Sequence, residues 1–148
     1  MEVVQLFEYE QIHQSFLRVK DTFRFLRNYP NLQEYIQKIA KSANVYVIFE
    51  EDECIAFAAV YMNDYDNRKA YISLFAVVDN YRKKGIGSYL LSFCEEQAHK
   101  KGMNFMILEV RKDNIPAQEF YKRAGYAFMQ EETERAYLMQ KSLTQLSE

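Results

Sequence analysis

The sequence is poor in the residues that would commit it to several classes of chemistry. It holds two cysteines, Cys54 and Cys94. They form no CxxC pair, so they read as core thiols of a reducing compartment, with no structural disulfide expected. Histidine is equally scarce: neither His13 nor His99 sits near a cysteine or a carboxylate cluster at ligand spacing, so no metal site is expected. No apolar run approaches the roughly 18 residues that would suggest a bilayer-spanning helix. The first residues, Met1-Glu2-Val3-Val4-Gln5, lack the basic start of a signal peptide. A net charge of −2 gives no electrostatic argument for nucleic acid or an anionic membrane as partner. The expectation is a cytoplasmic protein of one domain, residues 1–148, long enough to bury a core of its own.

Tryptophan is absent, yet twelve tyrosines and eleven phenylalanines make up 16% of the chain. The plain reading is a phenylalanine-filled core, with tyrosines at its edge where their hydroxyls stay wet. An aromatic acceptor pocket is the sharper one. Glycine is also rare, and its four positions are concentrated: Gly85 and Gly87 share one loop, while Gly102 and Gly125 stand where helices should end. The loop belongs to the stretch around which the chain is organised. Tyr71 to Val78 is an apolar run suited to a strand buried on both faces. Asp79 to Gly87 is a basic loop containing Arg82, Lys83 and Lys84. A helix follows, with Ile86, Leu90, Phe93, Cys94 and Ala98 on one face.

A glycine loop feeding a helix start is an anion site. The first turn has backbone N–H groups without intrahelical partners, and the helix dipole favours negative charge. The same pattern also serves as an ordinary strand-to-helix turn. Two familiar phosphate loops do not fit: Ile86 and Ser88 follow the two glycines where a P-loop needs Gly-Lys-Ser/Thr, and Leu90 stands where the dinucleotide fingerprint needs a third glycine.

The rest of the chain predicts a strand over 3–9, helices over 10–27 and from 31 or 32, and a strand over 45–49. An acidic turn at Glu50 to Glu53 leads to a strand over 54–62. After the central helix come a strand over 103–110, a helix begun by Asn114 and Pro116 and ended by Gly125, and a last strand pair, 126–129 and 135–139. The order is β-α-α-β-β-β-α-β-α-β-β, a mixed sheet with helices packed on it, an α/β fold.

The run Arg82-Lys83-Lys84-Gly85-Ile86-Gly87 after an apolar strand, within this element order, resembles the acetyl-coenzyme A loop of the GNAT N-acetyltransferase superfamily. The segment from Asn114 through Ala117, Phe120 and Tyr121 to Gly125 and Tyr126 resembles a second pattern of that family. The resemblance implies acetyl transfer from acetyl-coenzyme A, as co-substrate, to a primary amine of a small molecule or peptide. It implies that backbone groups of Phe75, Ala76 and Val77 pair with the pantetheine arm, and that the amides of Lys83, Lys84, Gly85, Ile86, Gly87 and Ser88, with Arg82 beside them, hold the pyrophosphate. Asn114 would hydrogen-bond the arm and Tyr121 would protonate the departing thiolate. A thiolate of pKa about 8.5 needs a nearby donor, and a tyrosine of pKa about 10 supplies one at neutral pH, losing that capacity only when it ionises. Outside the resemblance, Asn114 also suits a helix cap and Tyr121 a core edge.

The general base is less constrained: the central strand carries no carboxylate. Leu108-Glu109-Val110-Arg111 resembles the ribosomal-protein N-terminal alanine acetyltransferases, in which this glutamate acts through water, so Glu109 or a water chain is the expected base. Phe23, Arg24, Phe25, Arg27 and Tyr29, with Glu131, Glu132 and Glu134, are the candidate acceptor contacts. The segment between Tyr126 and Tyr137 is shorter than in the ribosomal-protein enzymes, which weighs against a peptide acceptor. A non-catalytic coenzyme A-binding or protein-interaction module of the same fold is the alternative. A monomer or a symmetric homodimer is expected.

Overall fold

A computed structural model of the chain describes residues 1–20, 31–82, 84–144 and 146. Its elements run β1 (Val3–Leu6), α1 (Tyr9–Val19), α2 (Leu32–Ser42), β2 (Asn44–Glu50), β3 (Glu53–Asp64), β4 (Lys69–Val77), α3 (Ile86–Lys100), β5 (Phe105–Arg111), α4 (Ile115–Arg123), β6 (Ala127–Glu132) and β7 (Ala136–Ser142). This is the expected order. The sequence-predicted extension of the first helix toward Arg27 lies outside the described residues, as do Phe23, Arg24, Phe25, Arg27 and Tyr29. The last hairpin turns later than its sequence suggests, so Glu131 and Glu132 belong to β6 rather than to the turn.

The strands form one sheet, β1-β2-β3-β4-β5-β7-β6. Every neighbouring pair is antiparallel except β4 and β5, which run parallel because α3 carries the chain across between them. Helices cover the sheet on both sides and divide the core in two. On one side α1 and α2 bury Ile12, Phe16, Val19, Ile36 and Ile39 against Val45, Val47, Phe57 and Ala59. On the other, α3 buries Leu90, Leu91, Cys94 and Ala98 against Tyr46, Ala58, Val60 and Ile72, and Tyr121 of α4 joins the same cluster. Burying each large apolar side chain contributes about 1.5–3 kcal/mol. β3 meets both cores and is buried from Cys54 to Val60, a continuous apolar run.

The central strand departs from its sequence-based reading. β4 alternates instead of being buried on both faces: Tyr71, Ser73 and Phe75 are only half-buried. It also changes phase. Ala59 pairs with Leu74, but Val60 pairs with Ile72, so Ser73 is an extra residue, a β-bulge. Before the bulge, Ala70 and Ile72 face the α3 side; after it, Leu74 and Ala76 face the α1/α2 side, and Phe75 and Val77 turn to α3. One inserted residue exchanges the faces of everything beyond it.

Candidate active site: a wedge between two parallel strands

β4 and β5 are paired only from Lys69 opposite Phe105 to Ile72 opposite Leu108. Beyond that point each strand stays with its outer neighbour. β4 follows β3 as far as Val77 opposite Ala56, and β5 follows β7 as far as Arg111 opposite Ala136. The two strands therefore part, leaving a wedge that opens toward their C-terminal ends. The starts of α3 and α4 stand at that opening.

The backbone facing the wedge follows from the antiparallel alternation. The Val78 N–H donates to the Ile55 carbonyl at 2.9 Å, so Val78 is turned toward β3. Ala76, two residues earlier and opposite Phe57, shares that orientation. Phe75 and Val77 are turned the other way, into the wedge. Of the three expected pantetheine partners, the backbone of Ala76 thus belongs to the β3 ladder, and only Phe75 and Val77 offer groups to a ligand. The Val77 carbonyl is already taken: the Arg82 Nε donates to it at 3.1 Å, and the same guanidinium pairs with Asp79 at 3.1 Å. Arg82 clasps the end of β4, and its charge is shared with Asp79.

The helix start beside the wedge is open. Gly85 is the N-cap of α3, in the left-handed region at φ +81°, where a side chain would be strained. It makes no side-chain cap, and the first intrahelical bond runs from the Tyr89 N–H to the Gly85 carbonyl. The N–H groups of Gly85, Ile86, Gly87 and Ser88 have no intrahelical partner. A Cβ at Gly85 would meet nothing within 4 Å, so the space above the loop is open to a ligand. Gly87 has a different reason for being glycine. A Cβ there would lie 3.3 Å from the Phe120 ring and 3.6 Å from Val77, so its absence lets α3 pack against α4 and β4. Lys84 lies over the Tyr81 ring at 5.5 Å. Lys83 lies outside the described residues.

α4 begins differently. The Asn114 Oδ1 accepts the Ala117 N–H at 3.2 Å, which caps the helix. The amide nitrogen of Asn114 makes no protein hydrogen bond among the described residues and remains able to donate to a ligand. Two turns on, Tyr121 is buried, its ring between Phe120 at 5.2 Å, Tyr126 at 5.7 Å and Phe75 at 6.4 Å. Phe75 places it beside the wedge strand. Burial, with the buried Cys94 thiol nearby, pushes the Tyr121 hydroxyl above the usual tyrosine range. It stays a proton donor well past the pH at which a free tyrosine ionises.

Glu109 lies on the other face of the sheet. Its neighbours Leu108 and Val110 join the α3-side core, so alternation turns Glu109 toward the side of α1 and α2, where it is exposed. The Tyr71 hydroxyl donates to its Oε2 at 3.3 Å. Burial and this carboxylate push the Tyr71 hydroxyl up to about 12. On the same face the Tyr35 and Ser73 hydroxyls are 2.7 Å apart, which ties α2 to the bulge. Sequence reasoning placed Tyr71 on the strand and missed that Tyr71, Ser73 and Tyr35 share the face on which Glu109 stands. The only sequence-level pointer was the pair of hydroxyl residues in an otherwise apolar strand.

Elsewhere, Cys54 and Cys94 are buried free thiols. Among the described residues no group of side chains could hold a metal ion, and no helix is long and apolar enough to cross a membrane.

Residues 9–126 match the sequence model of the acetyltransferase (GNAT) family. The chain belongs to that family. The match includes the wedge, the open helix start and Tyr121. Among curated relatives, streptothricin acetyltransferase of Streptomyces lavendulae is 32% identical over 89 residues, covering 60% of this chain and 47% of the relative. The chain spans less than half the length of the curated relatives it matches. Among solved structures, Ard1 from Thermoplasma volcanium superposes with a TM-score of 0.73 at 25% identity, covering 96% of this chain and 98% of that one. PaiA N-acetyltransferase from Thermoplasma acidophilum, solved with coenzyme A, gives 0.71 at 17% identity over 96% and 99% of the two chains. The last likeness is one of fold.

Proposed function

We propose that this chain is an acetyl-coenzyme A-dependent N-acetyltransferase acting on a primary amine. The observation that carries the reading is the wedge itself: an unpaired strand edge that ends at a helix start with free amides, with a buried tyrosine alongside. Family membership and the coenzyme A held by the PaiA structure support it. In this reading Phe75 and Val77 pair with the pantetheine arm as a further strand would. The amides of Gly85 to Ser88 take the pyrophosphate, helped by Lys83 and Lys84, while the Asn114 amide holds the arm. The acetyl group arrives as an activated thioester. Tyr121 holds the proton that the departing thiolate takes. Glu109, oriented by Tyr71, accepts the proton that the ammonium must lose before its nitrogen can attack, directly or through water.

The two groups act from opposite faces of the sheet, so cofactor and acceptor enter from opposite sides. Among the described residues this face presents the exposed Glu109 carboxylate beside the Tyr71 hydroxyl, which favours a small cationic amine over a peptide. A screen of polyamines, aminoglycosides, amino acids and short peptides, read by release of free coenzyme A thiol, tests the proposal. Turnover with at least one amine is expected. Tight acetyl-coenzyme A binding without turnover on any of these classes would favour the non-catalytic module instead.

A further inference from the structure

The helices cover the two sides of the sheet to different extents. On the α3/α4 side the buried cluster reaches Leu108 and Val110 of β5 and Met139 of β7. On the other side α1 and α2 pack on β2 and β3, and the buried cluster stops at Leu74 and Ala76 of β4. Among the described residues no side chain of β5, β6 or β7 joins it. The residues that β5 and β7 turn to this uncovered side are apolar all the same. Alternation places Phe105, Ile107 and Leu138 on the face that carries Tyr71 and Glu109, and they are only partly buried there.

These side chains adjoin one another. Leu138 stands opposite Glu109, Ile107 opposite Tyr71, and Tyr71 opposite Tyr61. The strip is therefore continuous with the Glu109–Tyr71 pair at the wedge. From Glu109 back to Phe105 it runs about 13 Å along β5. Its polar members are Gln140, opposite Ile107, and Ser142, opposite Phe105. Charge returns only at the far end, where Lys69 stands opposite Asp64. In the other direction, toward the β6–β7 hairpin, charges are dense and mixed. Arg111 pairs with Asp113 at 3.1 Å and Lys112 with Glu132 at 2.7 Å, while Glu134 is followed by Arg135.

We infer that this strip of bare sheet holds the body of the acceptor, and that the acceptor is a monoamine carrying an alkyl or aryl tail. The inference rests on the acetyl-transfer reading above and narrows its acceptor. An ammonium at Glu109 leaves the rest of its molecule to lie on whatever borders that carboxylate. Back along the sheet the border is Leu138, Ile107 and the Tyr71 ring, apolar surface that a tail would take out of water. A second cation on that path meets no carboxylate before Asp64, which Lys69 already faces. Toward the hairpin Asp113 and Glu132 are already paired, and Glu131 and Glu134 are the acids that a diamine would seek. Tyr71 serves twice: its hydroxyl orients Glu109, and its ring is part of the floor under the tail.

A homologous series of primary alkylamines, ethylamine to hexylamine, tests this by release of coenzyme A thiol. Basicity hardly changes along the series, so kcat/KM reports the tail. It should rise about two- to fourfold per methylene. The diamine of the same length as hexylamine, with a second ammonium at its far end, should be poorer than hexylamine by about tenfold or more. Ile107→Thr keeps a β-branched residue on the strand and should lower the hexylamine-to-ethylamine ratio about fivefold. Phe128→Thr removes an exposed ring from the α4 side and should leave that ratio unchanged. A flat wild-type series or a preferred diamine would overturn the assignment, and these need no variant to fold. So would a ratio that survives in Ile107→Thr or falls equally in Phe128→Thr, and so would turnover confined to aminoglycosides or peptides. Each of these leaves the acetyltransferase reading intact. Coenzyme A binding without turnover on any amine would overturn both.

Discussion

The two faces of the wedge are built to different standards. On the α3/α4 face Tyr121 is enclosed by three aromatic rings, Gly87 is packed to within 3.3 Å of Phe120 were it to carry a Cβ, and Asn114 is fixed as a helix cap. On the α1/α2 face Glu109 is exposed and held by a single hydrogen bond from Tyr71. Enclosure fixes geometry, and exposure leaves room. A co-substrate that never changes can be met by a rigid face, and an acceptor that differs between relatives by an open one. In the proposed function, the acid would sit on the enclosed face and the base on the open one.

The sharpest way to break this contrast is to remove one hydroxyl. Tyr121→Phe keeps the ring in its cage, so melting temperature and coenzyme A affinity should hardly change. Turnover should fall about a hundredfold or more, to the same extent with every acceptor that works. Because burial raises the Tyr121 hydroxyl above the ordinary tyrosine value of about 10, the neutral donor form persists as pH rises. Wild-type rate should then show no alkaline fall near pH 10, and the variant should show the same profile at lower amplitude. An alkaline fall near pH 10 present in wild type and lost in the variant would mean that Tyr121 titrates as an exposed residue.

The opposite face should answer differently. Glu109→Gln should slow turnover by about tenfold to a hundredfold, and the loss should shrink for amines of low pKa, which need less help to deprotonate. Rate measurements across an amine series check this. A uniform loss across the series would place Glu109 in a structural role.

A smaller effect separates the helix start from its surroundings. Ser88 is exposed at the third position of α3, so Ser88→Glu adds negative charge where the helix favours it. Thermal stability should hold or rise by about 0.3–1 kcal/mol. Coenzyme A affinity should weaken about tenfold, roughly 1.4 kcal/mol. Affinity that rose with stability would mean that the pyrophosphate lies elsewhere. Smallest of all, Asn114→Asp keeps the oxygen that caps Ala117 and loses the amide donor. Stability should stay within about 0.5 kcal/mol while coenzyme A affinity drops severalfold. Equal affinities by calorimetry would reduce Asn114 to its cap.

How much of this could be read from the chain depended on distance along it. The order of elements follows from periodicity and from local stops such as Gly125, and those are short-range. The open start of α3 was equally legible, because a glycine N-cap and its free amides lie within a few residues. The wedge was not, since it arises when β4 keeps β3 and β5 keeps β7, a choice of partners that neither strand encodes alone. The bulge at Ser73 is a single residue in a strand that otherwise alternates, so the flip of Leu74 and Phe75 left no periodic trace. Gly87 was placed in the phosphate loop for its amide, whereas its missing Cβ answers to a ring of α4 and a valine of β4, contacts that only the folded packing supplies. Arg82 was assigned to the ligand on charge, and the fold folds it back onto Val77 and Asp79.

The four register pairs between β4 and β5 also bear on how the molecule assembles and yields. The hairpin neighbours β2–β3, β3–β4 and β6–β7 close through local contacts, whereas β1–β2, β4–β5 and β5–β7 each join strands separated by at least one helix. The parallel joint must wait for the whole of α3, a long loop whose closure entropy is met before any rung forms. It is therefore expected to be a late step in folding and an early one in local opening, with amides around Lys69 to Ile72 exchanging before those buried within β3. A ligand lying along β4 in the wedge would extend that joint. Its binding energy would then appear as slower exchange at the seam between the two halves of the sheet.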